Sequence, residues 1–218
     1  MNPNISAVVD QVIRNRRTVK VFADKPMGAT TTRRIVEELI ECAAWAPFHR
    51  PSDASHQRRE ELPSIMPWRC YMLDAATCRQ VRKLLLDSGD TTKIPRILAA
   101  ATTLIQVTWL PNPAKDRSDG LFEPTLANME HIAAASAAIQ NLLLAATARG
   151  IPSYWSSGGA LREQRLFSQL GIPERELLLG SVFLFPPDLE NTEHAAGKLR
   201  EMRGAKEGWA RWVDIEAI

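Results

Sequence analysis

The stretch from Leu126 to Arg149, with IAAASAAIQNLLLAA in its middle, is apolar almost all the way round a helical wheel. A helix of that length with so little polar face is buried on several sides, and its alanines let neighbouring backbones come close. It is therefore either the spine of a core or a contact between subunits. Gly150, as the residue past the last turn, and Pro152 behind it end the pattern. The other elements have to supply the surfaces that cover this helix.

Their periodicities are readable in part. Ile5, Val8, Val9, Val12 and Ile13 fall at helical spacing over residues 5–15, with Asn4 available as an N-cap. A second helix runs from Thr31 or Thr32 to Trp45, with Ile35, Leu39 and Cys42 as its stripe and Pro47 as its stop. PWRCYMLD, 67–74, is a compact aromatic segment before a helix over Ala75–Asp87, and the β-branched TTLIQVTWL, 102–110, reads as a buried strand. Short strands at 153–156 and 179–185 flank a helix at 162–170. Strands and helices mix without strict alternation, which predicts an α+β domain with a mixed or mostly antiparallel sheet. The 218 residues read as one domain, with an irregular stretch at about 50–64 and a C-terminal arm at about 190–218. The irregular stretch, RPSDASHQRREELPS, reads as an exposed loop or short surface helix; Trp209 and Trp212 give the arm too much aromatic surface to stay free.

Bulk properties narrow the function. With 27 basic and 25 acidic residues the net charge is +2, so no global field suited to nucleic acid or a membrane surface exists, and any anion recognition is local. Three cysteines without a CxxC pair, and an N-terminus without a secretory h-region, point to the cytoplasm. No apolar run reaches the ~20 residues that span a bilayer. The four histidines have no metal-ligand spacing, and no GxSxG elbow or Cys/His nucleophile pattern occurs, so a metal centre is not expected.

Four short motifs carry possible chemistry. If residues 16–20 of RRTVKVF are extended, Arg16, Thr18 and Lys20 share one face and offer a guanidinium fork, a hydroxyl and an ammonium to one phosphate, while Arg17 and Val19 point away. The same residues suit a solvated helix end equally well. KLREMR, with Lys198, Arg200 and nearby Arg203, is a second basic cluster that is either a solvated face or the other half of such a site. YWSSGG, 154–159, combines glycines and serines that permit close backbone approach to a planar ligand, or make a plain turn. WAPFHR sets His49 just past a helix end.

Taken in order, RRTVKVF, AAWAPFH, PWRCYML, AAASAAIQNLLLAATARGIPSYWSSGG and KLR resemble the nitroreductase family of FMN-dependent oxidoreductases, nearest to a small subgroup with an Ala-Pro-x-His motif. The resemblance covers about 190 residues. It implies a nitroreductase-like fold, an intertwined homodimer, tight non-covalent FMN and ping-pong hydride transfer from NAD(P)H to a small electron-poor acceptor. It makes Arg16, Arg17, Thr18 and Lys20 ligands of the FMN phosphate and ribityl chain, with Lys198 and Arg200 closing that site. Trp155, Ser156, Ser157, Gly158 and Gly159 would lie against the isoalloxazine ring, and Pro47 and His49 would reach it from the other subunit. No catalytic side chain is required, because the flavin carries the reaction. Dehalogenation, enone reduction or flavin fragmentation on the same fold, or flavin binding with little turnover, are the alternatives. The family pattern has serine at Thr18, arginine at Lys20 and glutamine at Met66, and only a few residues where this chain has Arg50–Ser64.

Overall fold

A computed structural model describes residues 3–28, 31–57, 62–114 and 121–214. The elements run α1 (Pro3–Asn15), β1 (Val19–Phe22), α2 (Arg33–Ala44), β2 (Trp68–Asp74), α3 (Ala75–Asp87), α4 (Ile94–Ala100), β3 (Thr103–Trp109), α5 (Leu126–Ala148), β4 (Ser153–Ser156), α6 (Gln164–Leu170), β5 (Leu177–Leu184) and β6 (Glu193–Ala196). Four strands form an antiparallel sheet in the order β2-β3-β5-β4. Strands β1 and β6 pair antiparallel as a separate ribbon, joined to that sheet by a single bridge from Thr18 to Ser153. The α+β, antiparallel architecture follows the sequence pattern.

Strand β3 is central and buried along its whole length, as its β-branched run requires. Its Ile105 and Val107, with Val182 and Leu184 of β5, face α5 and α2. Leu104 and Phe183 point to the other side, where α3 and α4 cover them. Ala134, Ala135, Ala138 and Ala146 of α5 are buried among Ile139, Leu142 and Leu143, so the alanine face does take the close packing. By length and composition α5 would cross a membrane, contrary to the run-length reading above, but half of its most apolar window is buried inside the chain. It is a core helix that leaves Leu126 and Met129 exposed at its first turn.

Local chemistry explains most element ends. Thr32 caps α2 by accepting from the Ile35 N–H, Asp74 caps α3 through Thr77, and Thr125 caps α5 through Asn128. Gly150 takes φ +67°, the left-handed turn foreseen after α5. Helix α1 begins at Pro3, so Asn4 lies inside its first turn and is not the cap; proline's fixed φ suits that first position. Helix α4 had no periodic signal because six of its seven residues are buried, leaving no polar face to set a period. The helix expected at 162–170 divides into a tight 3-10 turn, Gly159–Arg162, and α6, and β5 starts at Leu177.

One expectation needs larger correction. The 50–64 stretch is not simply exposed: Ser52 and His56 are buried, and Ala54–His56 is a 3-10 turn capped by Asp53. Residues 58–61 within it lie outside the described residues. The C-terminal arm packs on its own chain through β6 and a 3-10 turn over Lys198–Met202, but beyond that Trp209 and Trp212 stand 73 and 97 % exposed.

Replacing the fully buried Leu142 by alanine is expected to cost about 2–5 kcal/mol in a urea titration. A pH effect follows from His56. Burial is the main reason its pKa falls below the ordinary value, and Arg175 and Arg69 push the same way against the Pro111 carbonyl and Asp53. The unfolded chain then takes a proton near pH 6.5 before the folded chain does, so this contribution is complete above that pH and is lost on acidification. Stability should fall below about pH 6.5 with a slope of at most about 1.4 kcal/mol per pH unit from this group. His56→Gln should flatten that slope in urea titrations run across pH 5–7.

Candidate functional site

The ribbon of β1 and β6 brings the two ends of the chain together. Val19 stands opposite Ala196 and Lys20 opposite Ala195, and the Gly197 N–H donates to the Thr18 carbonyl at 2.9 Å. A Cβ on Gly197 would sit 3.0 Å from the Thr18 Cβ, so glycine lets the arm close on Thr18. The 3-10 turn that follows delivers Lys198 and Arg200. Arg200 donates through Nη1 to the Arg16 carbonyl at 3.2 Å and through Nη2 to the Arg14 carbonyl. It thereby staples the arm to the C-terminus of α1, whose last carbonyls lack helical partners.

Between these pieces lies a cleft of about 360 Å³ lined by Arg16, Arg17, Thr18, Lys20, Trp155 and Lys198, with Arg200 at its edge. Arg16, Thr18 and Lys20 do share the cleft side, whereas Arg17 also borders a neighbouring cavity together with Val19. Among the described residues no carboxylate pairs with Arg16, Arg17, Lys20 or Lys198; the nearest ion pair is Arg200 to Glu201 at 3.9 Å. Burial first, then the charges of Arg203 and Arg200, pull the Arg16 pKa below its usual value. Six cations, Arg16, Arg17, Lys20, Lys198, Arg200 and Arg203, around one small volume with no carboxylate in its described lining suit an anion.

Trp155 links the cleft to the turn beyond it. Its indole lies over Gly180 of β5, where an added Cβ would fall 1.9 Å from Nε1, so no larger residue fits under it. Ser156 is buried, and its Oγ accepts from the Gly158 N–H at 3.2 Å. Gly158 has φ +108°, and a Cβ there would meet Leu178 Cδ2 at 2.6 Å. Arg162 fixes the turn from behind by donating to the carbonyls of Leu178, at 2.6 Å, and of Ser157. Ser156, Ser157, Gly158 and Gly159 thus continue from Trp155 as a rigid platform, but they do not line the basic cleft itself.

Pro47 and His49 do not line it either. Past α2 the chain alternates: Ala46 is buried and Phe48 packs edge-on to Trp68 at 5.8 Å, while Trp45, Pro47 and His49 are exposed. Sequence reasoning missed two cleft features: Tyr154 carries Lys20 Nζ 5.0 Å over its ring, and Gly197 permits the closure. Arg203, read with the second basic cluster, adds a further cation to the lining. The Tyr154–Lys20 pairing had no local signal, since 134 residues separate the two in the chain; Arg203 follows the KLREM turn by one residue and was readable as part of the same basic run.

Comparison with known proteins shows the family and the fold. The model of the Nitroreductase family matches residues 13–184, a span that ends before Lys198 and Arg200. The fold is that of a nitroreductase-like family protein from Bacillus cereus, 22 % identical with a TM-score of 0.59 over 90 % of this chain and 95 % of that one. It is also that of a nitroreductase with bound FMN from Bacteroides fragilis, 19 % identical with a TM-score of 0.54 over 94 % of this chain and 98 % of that one. A nitroreductase with bound FMN from Desulfitobacterium hafniense is 17 % identical, with a TM-score of 0.54 over 95 % and 98 % of the two chains.

If the cleft is an anion site, inorganic phosphate at a hundredfold excess over its dissociation constant should stabilise the cofactor-free protein by about 2.7 kcal/mol, read as a rise in its thermal midpoint. The Arg16→Ala, Lys198→Ala double variant should lose that shift while keeping its circular dichroism. An equal shift in both proteins would sink the assignment.

Proposed function

This chain belongs to the nitroreductase family, and on that premise we propose that it is an FMN-dependent oxidoreductase. It works as a homodimer on a small electron-poor acceptor. The observation that carries this reading is the meeting of RRTVK and KLR, remote in sequence, in one cleft with no carboxylate among its described lining residues. Inorganic phosphate alone needs no more than that, but the cleft opens onto Trp155 and the rigid Ser156–Gly159 turn, as a phosphate on a planar group would require.

When bound, FMN supplies the redox chemistry, taking hydride from NAD(P)H and passing electrons to a nitroaromatic, quinone or similar acceptor in ping-pong order. The chain's own residues hold and tune it. Arg16 and Lys198 grip the phosphate from the two ends of the chain, Arg17 and Lys20 add charge, and Thr18 offers its hydroxyl. Arg200 keeps the second jaw in place through the carbonyls of Arg14 and Arg16. At the ring, Gly158 N–H is committed to Ser156 Oγ, so the Ser157 amide is the donor we assign to the ring edge. With no side chain required to move a proton, the protein's share is orientation and electrostatics.

Pro47 and His49 complete the site across the dimer. Exposed apolar surface supports that assembly: Ile5, Val8, Val9 and Ile13 on α1, Leu126 and Met129 on α5, and Trp209, Trp212 and Val213 on the arm. That much unpartnered apolar surface on one chain is characteristic of an interface. All three cysteines are free thiols, which supports a reducing cytoplasmic setting.

The purified protein is expected to be yellow with stoichiometric FMN, to elute as a dimer, and to bleach anaerobically with NADH or NADPH. Addition of a quinone or nitroaromatic should restore the colour. Bleaching without recovery across a panel of acceptors would leave a flavin-binding protein and overturn the oxidoreductase reading. The Arg16→Ala, Lys198→Ala double variant should be colourless yet folded.

A further inference from the structure

Arg162 stands directly behind the Ser157–Gly158 turn, and its whole head is spent there. Nη1 donates to the Leu178 carbonyl at 2.6 Å, Nη2 to the Leu179 carbonyl at 3.4 Å and Nε to the Ser157 carbonyl, and among the described residues no carboxylate pairs with it. The residue is exposed, so these three acceptors set the direction of its guanidinium. Its stem lies beneath the turn: a Cβ on Gly158 would fall 3.0 Å from Arg162 Cγ.

The sheet explains why an arginine is needed at this point. Strand β4 pairs with β5 only as far as Ser156 opposite Ser181, and then leaves the sheet to make the turn. The earlier part of β5 would therefore present bare carbonyls along that edge. Successive carbonyls of a regular strand point to opposite edges, and one guanidinium fork would not reach two of them. Here β5 is bulged: Val107 faces Gly180 and Thr108 faces Leu178, so Leu179 has no partner on β3. Glu176, buried, holds the bulge by accepting from the Tyr71 hydroxyl at 2.8 Å and from the Thr108 hydroxyl. The fork thus closes the edge where β4 stops and draws the Ser157 carbonyl to the same place.

Trp155 lines the basic cleft and Ser157 lies two residues on, so the turn continues from the phosphate end toward the ring in the flavin reading above, on which this inference rests. The peptide before Ser157 follows from β4, and the peptide after it is fixed at both atoms, its carbonyl by Arg162 and its Gly158 N–H by Ser156 Oγ. The Ser157 N–H between them is held in one direction. A fixed positive charge behind such a donor favours the state of a ligand that carries more negative charge, and a flavin gains negative charge on reduction.

We propose that Arg162 is a positioning residue for the ring end of the site: it locks the turn that presents the Ser157 N–H and sets its own charge behind that turn, and so favours the reduced cofactor over the oxidised one.

The test compares the holoprotein with its Arg162→Gln variant, which keeps an amide donor and removes the charge. Each is reduced stepwise with dithionite under nitrogen beside a reference dye of known potential. At the same dye ratio, the variant's ratio of reduced to oxidised FMN should be lower by about tenfold or more. Linkage sets a second expectation: affinity for oxidised FMN should stay within about twofold of the wild type, while affinity for reduced FMN falls by the factor seen in the ratio. Arg162→Lys, which keeps the charge without the fork, should restore part of the ratio. An unchanged ratio overturns the proposal, whether affinity for the two forms is kept or lost together, as a merely structural arginine would give. The wild type supplies a readout that needs no variant to fold. Hydrogen exchange of its Ser157 amide should slow by about tenfold or more when FMN binds, and exchange unaffected by FMN overturns the proposal. Failure of the wild type to bind FMN would count against the oxidoreductase reading instead.

Discussion

The pairing of β1 with β6 is the interaction on which the site depends. A two-stranded ribbon is marginal by itself in water, and this one is held by what lies beneath it. Val21 is fully buried and Phe22 nearly so, both in the cluster that contains Ile97, Leu98 and Phe183. The N–H groups of Ala23 and Met27 donate to the Arg96 and Ala99 carbonyls of α4, and the Arg96 side chain bridges Asp24 and Glu193 at 2.8 and 2.7 Å. A short buried helix therefore fixes one strand, and its single arginine ties that strand to the segment arriving from the far end of the chain. The basic cleft exists because this ribbon forms.

Electrostatics makes the closure conditional. Arg16, Lys20, Lys198, Arg200 and Arg203 repel one another across the cleft, and burial adds to the cost for Arg16. Backbone carbonyls absorb part of that cost through Arg200, and the Tyr154 ring face takes part of the Lys20 charge. An anion bound there would relieve what remains, and its binding and the closure of the arm would then share one free energy.

How much was legible in the sequence varies with the range of the signal. Strand β3, α2, α3 and α5 carry their own period and caps, and were read nearly to the residue. Gly150 is the same case, because a left-handed residue after a helix is a local demand. Helix α4 escaped because burial on all sides erases periodicity. The two halves of the cleft were each ambiguous, since a basic run looks the same on a solvated helix end as in a phosphate site; only the Val19–Ala196 register distinguishes them, and register is a long-range fact. The inserted loop was misread for a related reason. Its charged and proline-rich composition is that of a surface segment, while the group that ties its described ends, Arg69 through the His56 and Ser64 carbonyls, sits in the next strand and reads as an interruption of an apolar run.

The exposed residues sort by the same logic. Ser52 and His56 belong to a loop whose described ends are tied inside the chain, through the Ile65 and Pro111 carbonyls. Trp45, Pro47 and His49 alternate with Ala46 and Phe48, so the backbone sets their outward direction while none of the described residues covers them. A segment that holds a tryptophan, a proline and an imidazole outward, and a first helix whose apolar residues Ile5, Val8, Val9 and Ile13 are also exposed, are surfaces suited to a partner. Under the function proposed above, the phosphate end of the site would be finished by folding and its ring end by a second chain, which would put cofactor capture under the control of the β1–β6 pairing.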